Sequence, residues 1–275
     1  MSNSKKYLIS PSISNETLTQ KIKGIDQDSN YINTTVIKES SLTIFLNNQE
    51  IVTLMCVDDY PNFLAIGYLL NQNMIKISDK IKSIDIDKDL GIIVIRTNRK
   101  TDYEKILKKK ITTSGCAQGT IFGNIYDEIK KIRINAKITI KHEWIYDLSK
   151  KINLTPSLYL KAGAVHGCVI SKKNIPLIYM EDVGRHNAVD KIAGYMFLNN
   201  INPKDKIFYT TGRLTSEMVI KTVKMGLPIL ISRSGFTSWG VELAQKTNLT
   251  LIGRAKGKKY IALSGNHRIK MSKIL

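Results

Sequence analysis

The chain has 275 residues, is 43% hydrophobic and 24% charged, and carries a formal net charge of +19. That composition supports one large core or two modest ones and excludes a disordered chain. No apolar run approaches the roughly 20 residues needed to cross a bilayer, and no apolar signal core follows residues 2–6, so a cytoplasmic protein with no membrane contact is expected.

Residues up to about Ile32 are polar and aperiodic, which predicts a frayed arm with one strand near residues 7–9. Alternating segments at 42–46 and 51–56, separated by Asn47-Asn48-Gln49-Glu50, predict a hairpin. Residues 61–72 read as a helix carrying Phe63, Leu64, Ile66, Leu69 and Leu70 inward, and strands at 81–86 and 91–97 complete a small α+β unit. Residues 112–120 form a small, polar, glycine-flanked loop around Cys116. Helices at 142–151 and 156–162 follow. From there strands at 165–171, 176–180, 206–210, 228–231 and 249–252 alternate with helices from about 187, at 216–225 and at 238–246. Repeats of this length imply right-handed crossovers and a mostly parallel sheet covered by helices.

The three cysteines, Cys56, Cys116 and Cys168, have neither metal nor disulfide spacing. This suits a reducing compartment, predicts no structural metal and leaves thiol chemistry to a single sulfur. Cys56 and Cys168 sit in apolar strand-like runs as small core residues, whereas Cys116 is the candidate nucleophile. The lysines are scattered, giving a solvated surface whose summed field concentrates nucleotides, phosphates or nucleic acid.

The run Glu181-Asp182-Val183-Gly184-Arg185-His186-Asn187-Ala188-Val189-Asp190-Lys191 crowds polar groups around a glycine at a strand-to-helix junction. Two readings stay open. It is a ligand site at the carboxyl end of a strand, or a helix cap in which Asp182 or Asn187 satisfies free amides and Arg185 pairs with Glu181. His186, expected to be exposed at the helix start, could move protons or hold a ligand together with Glu181, Arg185 and Asp190. His166 is either an acid/base or a hydrogen-bonded structural residue. The turn Thr210-Thr211-Gly212-Arg213, and Arg254 to Lys259 just beyond a strand, are glycine-bearing basic turns suited to phosphate. No Walker loop, dinucleotide fingerprint or zinc deaminase signature is present.

Residues 181–191 and 163–167, the Thr211-Gly212-Arg213 turn with Ser216-Glu217-Met218-Val219, and the glycine-flanked cysteine loop together resemble the formate dehydrogenase accessory sulfurtransferases, over about residues 37–264. The resemblance implies an α/β fold: a cytidine-deaminase-like three-layer C-terminal domain without zinc at 141–275, a smaller α+β domain at 1–112, and a cysteine-bearing connection at 113–140. It implies that sulfur arrives from a cysteine desulfurase as a persulfide on Cys116. From there it passes to the molybdenum cofactor, bis-molybdopterin guanine dinucleotide, bound as a substrate, and the chain is implied to be required for active formate dehydrogenase. Carried over by position, the cofactor-binding stretch is Arg254, Ala255, Lys256, Gly257, Lys258 and Lys259. His166, Glu181, Arg185, His186, Asp190 and Arg213 are supporting residues, and a homodimer is expected. Gly119 stands where many members have a second cysteine, so no two-thiol relay exists within the loop. The alternatives are a hydrolase of nucleotide-like substrates using Cys116 with His166 or His186, and a basic nucleic-acid-binding protein.

Overall fold

The computed structural model describes residues 7–98, 110–112, 120–122 and 125–271. Where a frayed arm was expected up to about Ile32, residues 19–37 form an antiparallel hairpin of β1 (Thr19–Ile25) and β2 (Tyr31–Ile37). The Asp26 carboxylate closes the turn by accepting the amides of Asp28 and Asn30, and buried Leu18 anchors the base. The reason for the difference is exposure. Most positions on both strands face solvent, so β-branched residues such as Ile22, Thr34 and Val36 build a strand without the apolar alternation that a buried face imposes. Ahead of it, Ile9 makes the expected short strand contact, bridging to Ile178.

The first sheet has the order β4-β3-β6-β5, from β3 (Ser40–Leu46), β4 (Gln49–Cys56), β5 (Ile81–Asp87) and β6 (Ile92–Thr97). Helix α1 (Pro61–Asn71) starts on a proline, whose missing N–H costs nothing there, and buries Leu64 and Leu69 in one cluster with Leu42, Ile44, Ile93 and Ile95. Short paired strands β7 (Lys110–Thr112) and β8 (Thr120–Phe122) bracket residues 113–119, which lie outside the described residues, Cys116 among them.

After α2 (Ile125–Lys131), β9 (Ile140–Lys141), α3 (His142–Leu154) and α4 (Leu158–Ala162) comes the main sheet. Its parts are β10 (His166–Lys172), β11 (Ile175–Asp182), α5 (Arg185–Leu198), β12 (Ile207–Thr210), α6 (Ser216–Lys224), β13 (Ile229–Ser232), α7 (Ser238–Thr247), β14 (Thr250–Lys256) and β15 (Lys259–Ser264). The short β16 (Ile269–Lys270) pairs with β9. The six strands run β11-β10-β12-β13-β14-β15. Only β12/β13 and β13/β14 are parallel, so the sheet is mixed rather than mostly parallel. Tight turns at Lys173 and at Gly257, both left-handed, cause this: a connection that short can return only antiparallel. Strand β15 was not expected from its sequence, because Lys259 to Ser264 carries its apolar residues half-exposed.

Helices α5 to α7 cover one face, around Met180, Val189, Phe208, Met218 and Leu251. Helix α3 covers the other, around Val169, Tyr209, Ile231 and Ile252, giving three layers. No helix among the described residues is long and apolar enough to cross a membrane.

The two sheets are joined where α1 crosses α5 at a pair of glycines. A Cβ on Gly67 would fall 1.7 Å from the Asp190 carbonyl oxygen, and one on Gly194 would fall 2.0 Å from that of Phe63. Backbone atoms cannot swing aside as side chains do. Gly194→Ala is therefore expected to destabilise by about 1–3 kcal/mol despite alanine's better helix propensity. Urea denaturation checks this, and unchanged stability would mean the crossing is looser than described.

Candidate functional site

Strands β12, β13 and β14 are parallel, so their carboxyl ends lie along one edge of the sheet. Antiparallel pairing brings the start of β10 and the end of β11 to the same edge, with His166 opposite Asp182. The turns there lock onto one another. Ser232 Oγ donates to the Gly212 carbonyl at 2.6 Å, Ser234 N–H to Ser232 Oγ at 2.9 Å, and Arg254 N–H to the Ser234 carbonyl at 2.8 Å. The Arg185 side chain lies over Gly212, where a Cβ would come within 3.0 Å of Arg185 Cδ. Arg185, Arg213, Arg233 and Arg254 are thus brought to one edge. Helix α5 begins there on Gly184, which has no side chain to cap it, and α6 begins there after Thr215, whose side chain makes no capping hydrogen bond.

Arg233 was not singled out in the sequence. Its signal was available: Arg233-Ser234-Gly235 follows a four-residue buried strand, as Thr211-Gly212-Arg213 does. The guanidinium sits 5.2 Å from the Tyr159 ring centre, close enough for a cation–π contact. It also lines a cavity of about 250 Å³ with Ser157, Tyr159, Gly167, Glu181 and Thr211.

Both histidines belong to this edge. His166 is half-buried, with Nδ1 3.3 Å from Thr211 Oγ1, which also accepts the Gly167 amide at 3.0 Å. Burial, then the charges of Arg185, Arg233, His186 and Arg213, hold its pKa below the usual histidine value. His186 is not the exposed helix-start residue expected, since only 17% of its side chain is accessible. It packs inward because Glu217, in the first turn of α6, lies 3.1 Å from its Nε2, although off the line of a straight hydrogen bond. Burial lowers the His186 pKa, and Glu217 works against it.

The carboxylates of the 181–191 run face the interior. Glu181 accepts from Leu158 N–H at 2.7 Å, Tyr159 N–H at 3.4 Å and Tyr179 O–H at 2.9 Å, so it caps the short helix α4. Asp182 accepts from Gly184 N–H and Asn187 Nδ2, in line with the capping reading. Asp190 is ion-paired with Lys221 at 2.6 Å and accepts from Asn71 Nδ2 at 2.6 Å. Lys191, fully buried, donates to the carbonyls of Val57 and Glu181 and is ion-paired with Asp182 at 2.7 Å and with Asp59. The run therefore does several jobs, with Arg185 and His186 at the edge, Glu181 capping α4, and Asp182, Asp190 and Lys191 joining the two sheets.

The stretch from Arg254 to Lys259 is a hairpin between β14 and β15, not a turn leading beyond the last strand. Left-handed Arg254 and Gly257 shape it. Ala255 is 2% exposed and belongs to the core, so it is closed to a ligand, whereas Arg254, Lys256, Gly257, Lys258 and Lys259 are exposed. Cys56 and Cys168 are sealed inside, and burial pushes both thiols up to about 12. Among the described residues no His, Cys, Asp or Glu cluster is arranged to hold a metal ion.

Comparisons with known proteins agree with one another. The sulfur carrier protein FdhD of Bacillus pumilus is 31% identical over 236 residues, covering 85% of this chain and 90% of the relative. The protein of the same name from Bacillus subtilis is 30% identical, covering 86% and 90%. A crystal structure of a Desulfotalea psychrophila protein assigned as a formate dehydrogenase accessory protein superposes with a TM-score of 0.73 at 26% identity, covering 92% of this chain and 98% of that one. The model of the FdhD/NarQ family matches residues 37–270, and with these relatives it establishes that the chain belongs to the FdhD/NarQ family.

Proposed function

We propose that this protein is a sulfur carrier that accepts sulfur from a cysteine desulfurase as a persulfide on Cys116 and delivers it to the molybdenum cofactor, bis-molybdopterin guanine dinucleotide, for formate dehydrogenase. Relatives named as sulfur carriers support the carrier role. The observation that carries the assignment to Cys116 is the state of the other two thiols, which are buried and protonated, leaving Cys116 as the remaining one. In loading, the Cys116 thiolate attacks the outer sulfur of the donor persulfide. The donor S–S bond breaks, its cysteine leaves as thiolate, and a new S–S bond forms on Cys116 without net oxidation. Delivering that sulfur as sulfide takes two electrons. With Gly119 in place of a second loop thiol, they come from the acceptor metal or an external thiol.

The arginine edge supports the substrate side of this reading, since pyrophosphate oxygens suit guanidinium forks. The 250 Å³ cavity beside Arg233 gives a planar ring somewhere to sit. We take the C-terminal layers as the cytidine-deaminase-like domain, acting as a homodimer. The hydrolase reading requires Cys116 beside His166 or His186, and Cys116 lies outside the described residues.

Two measurements test the proposal. Incubation with a cysteine desulfurase and free cysteine should add one sulfur to the intact protein, removable by dithiothreitol, and no gain in mass would contradict the carrier role. Calorimetry should show GDP binding that weakens at least about tenfold when Arg213 and Arg233 are both replaced by alanine. Undiminished binding would remove the edge from the site.

A further inference from the structure

We propose that His166 takes up a proton when an oxyanion binds at the carboxyl edge, and that the resulting imidazolium becomes an additional cationic partner for that anion. The inference rests on the reading of this edge as the seat of the substrate's phosphates.

Its basis is the ring's surroundings. Thr211 Oγ1, itself fixed by the Gly167 amide, holds Nδ1 and is the ring's one hydrogen-bond partner among the described residues, which leaves Nε2 for a ligand. The charges of three arginines act on the ring, Arg185 from α5, Arg233 from the turn after β13 and Arg213 from the turn after β12, with His186 of α5 adding to them when protonated; the Arg185 side chain lies over Gly212, next to Thr211. The acid opposite it in register on β11, Asp182, is already committed to Lys191, Asn187 and the Gly184 amide. Glu217 lies against His186 rather than His166. Burial and these charges favour the neutral imidazole while no anion is bound. A phosphoryl anion changes the balance, because it screens the guanidinium charges and places its own negative charge beside Nε2. The proton comes from solvent, and no covalent bond changes. Binding and protonation are then linked, so affinity rises as pH falls, by about tenfold for each unit that the His166 pKa climbs on binding.

The test uses GDP and inorganic pyrophosphate as probes. Calorimetry near pH 7 in buffers of different ionisation enthalpy should show greater net proton uptake by the wild type than by His166→Asn, a comparison that subtracts the probes' own titration. Between pH 8 and pH 6 wild-type affinity should gain about tenfold over that of the variant. Imidazole resonances of the wild type should move toward the imidazolium position on saturation, a readout that needs no variant. Binding with equal proton uptake in the two proteins and an unmoved His166 resonance overturns the role while leaving the edge as an anion site. No binding of either probe overturns the reading of the edge, and the role with it.

Discussion

Replacing Cys116 by alanine is expected to reduce formate dehydrogenase maturation to the level of cells lacking the protein, while leaving its melting temperature unchanged. The first outcome follows from the absence of a substitute. Cys56 is the last residue of β4 and part of the first core, Cys168 lies in the middle layer, and a thiol pushed up to about 12 is almost wholly protonated at neutral pH. Neither can attack a persulfide at a useful rate. The second follows from the local sequence, since one small residue in a glycine-flanked polar stretch contributes little core burial. Complementation of a deletion strain, with thermal unfolding on the same purified variant, checks both. Wild-type maturation by the variant would mean that sulfur travels through another group.

Lys191→Met is expected to cause the largest loss of stability of any single change considered, about 3–5 kcal/mol. The methionine fills the space but leaves Asp59 and Asp182 buried without their cation, and Asp59 Oδ2 already has no partner. Burial alone would lower the Lys191 pKa, but Asp182 and Asp59 outweigh it and hold it above the usual lysine value. For a group raised on folding, the stabilisation is complete below the unfolded-state pKa and lost as pH climbs through the folded one. The Lys191 contribution should therefore persist through neutral pH and fade only in the alkaline range. Denaturation of wild type and variant at neutral pH measures the loss. A difference under about 1 kcal/mol would contradict the dependence of the two buried carboxylates on the Lys191 cation.

Much of the frame was legible in the sequence because it follows local rules. Pro61 followed by Leu64 and Leu69 announces a helix start and its buried face, and the apolar runs of β12 and β13 can only be strands covered on both sides. The junction around Gly184 was readable as a strand-to-helix turn, with Arg185 and His186 at the edge. What could not be read was which side chains of that run face inward. Lys191 meets Asp59 across 132 residues of chain, and Asn71 meets Asp190 across 119, so the acids' partners are fixed by the crossing of α1 on α5 and by no nearby residue. The hairpin of β14 and β15 was missed for a related reason. Its lysines look like a basic turn just beyond the last strand until the exposed side of an edge strand gives them a place.

The claim on which the account depends is that sulfur travels on Cys116 alone. The direct measurement is peptide mapping by mass spectrometry after loading with a cysteine desulfurase and cysteine, with alkylation to trap persulfides in place. The account predicts the additional sulfur on the peptide containing Cys116, with Cys56 and Cys168 recovered as plain thiols once the protein is unfolded. A persulfide chiefly on Cys56 or Cys168, with Cys116 unmodified, would contradict it.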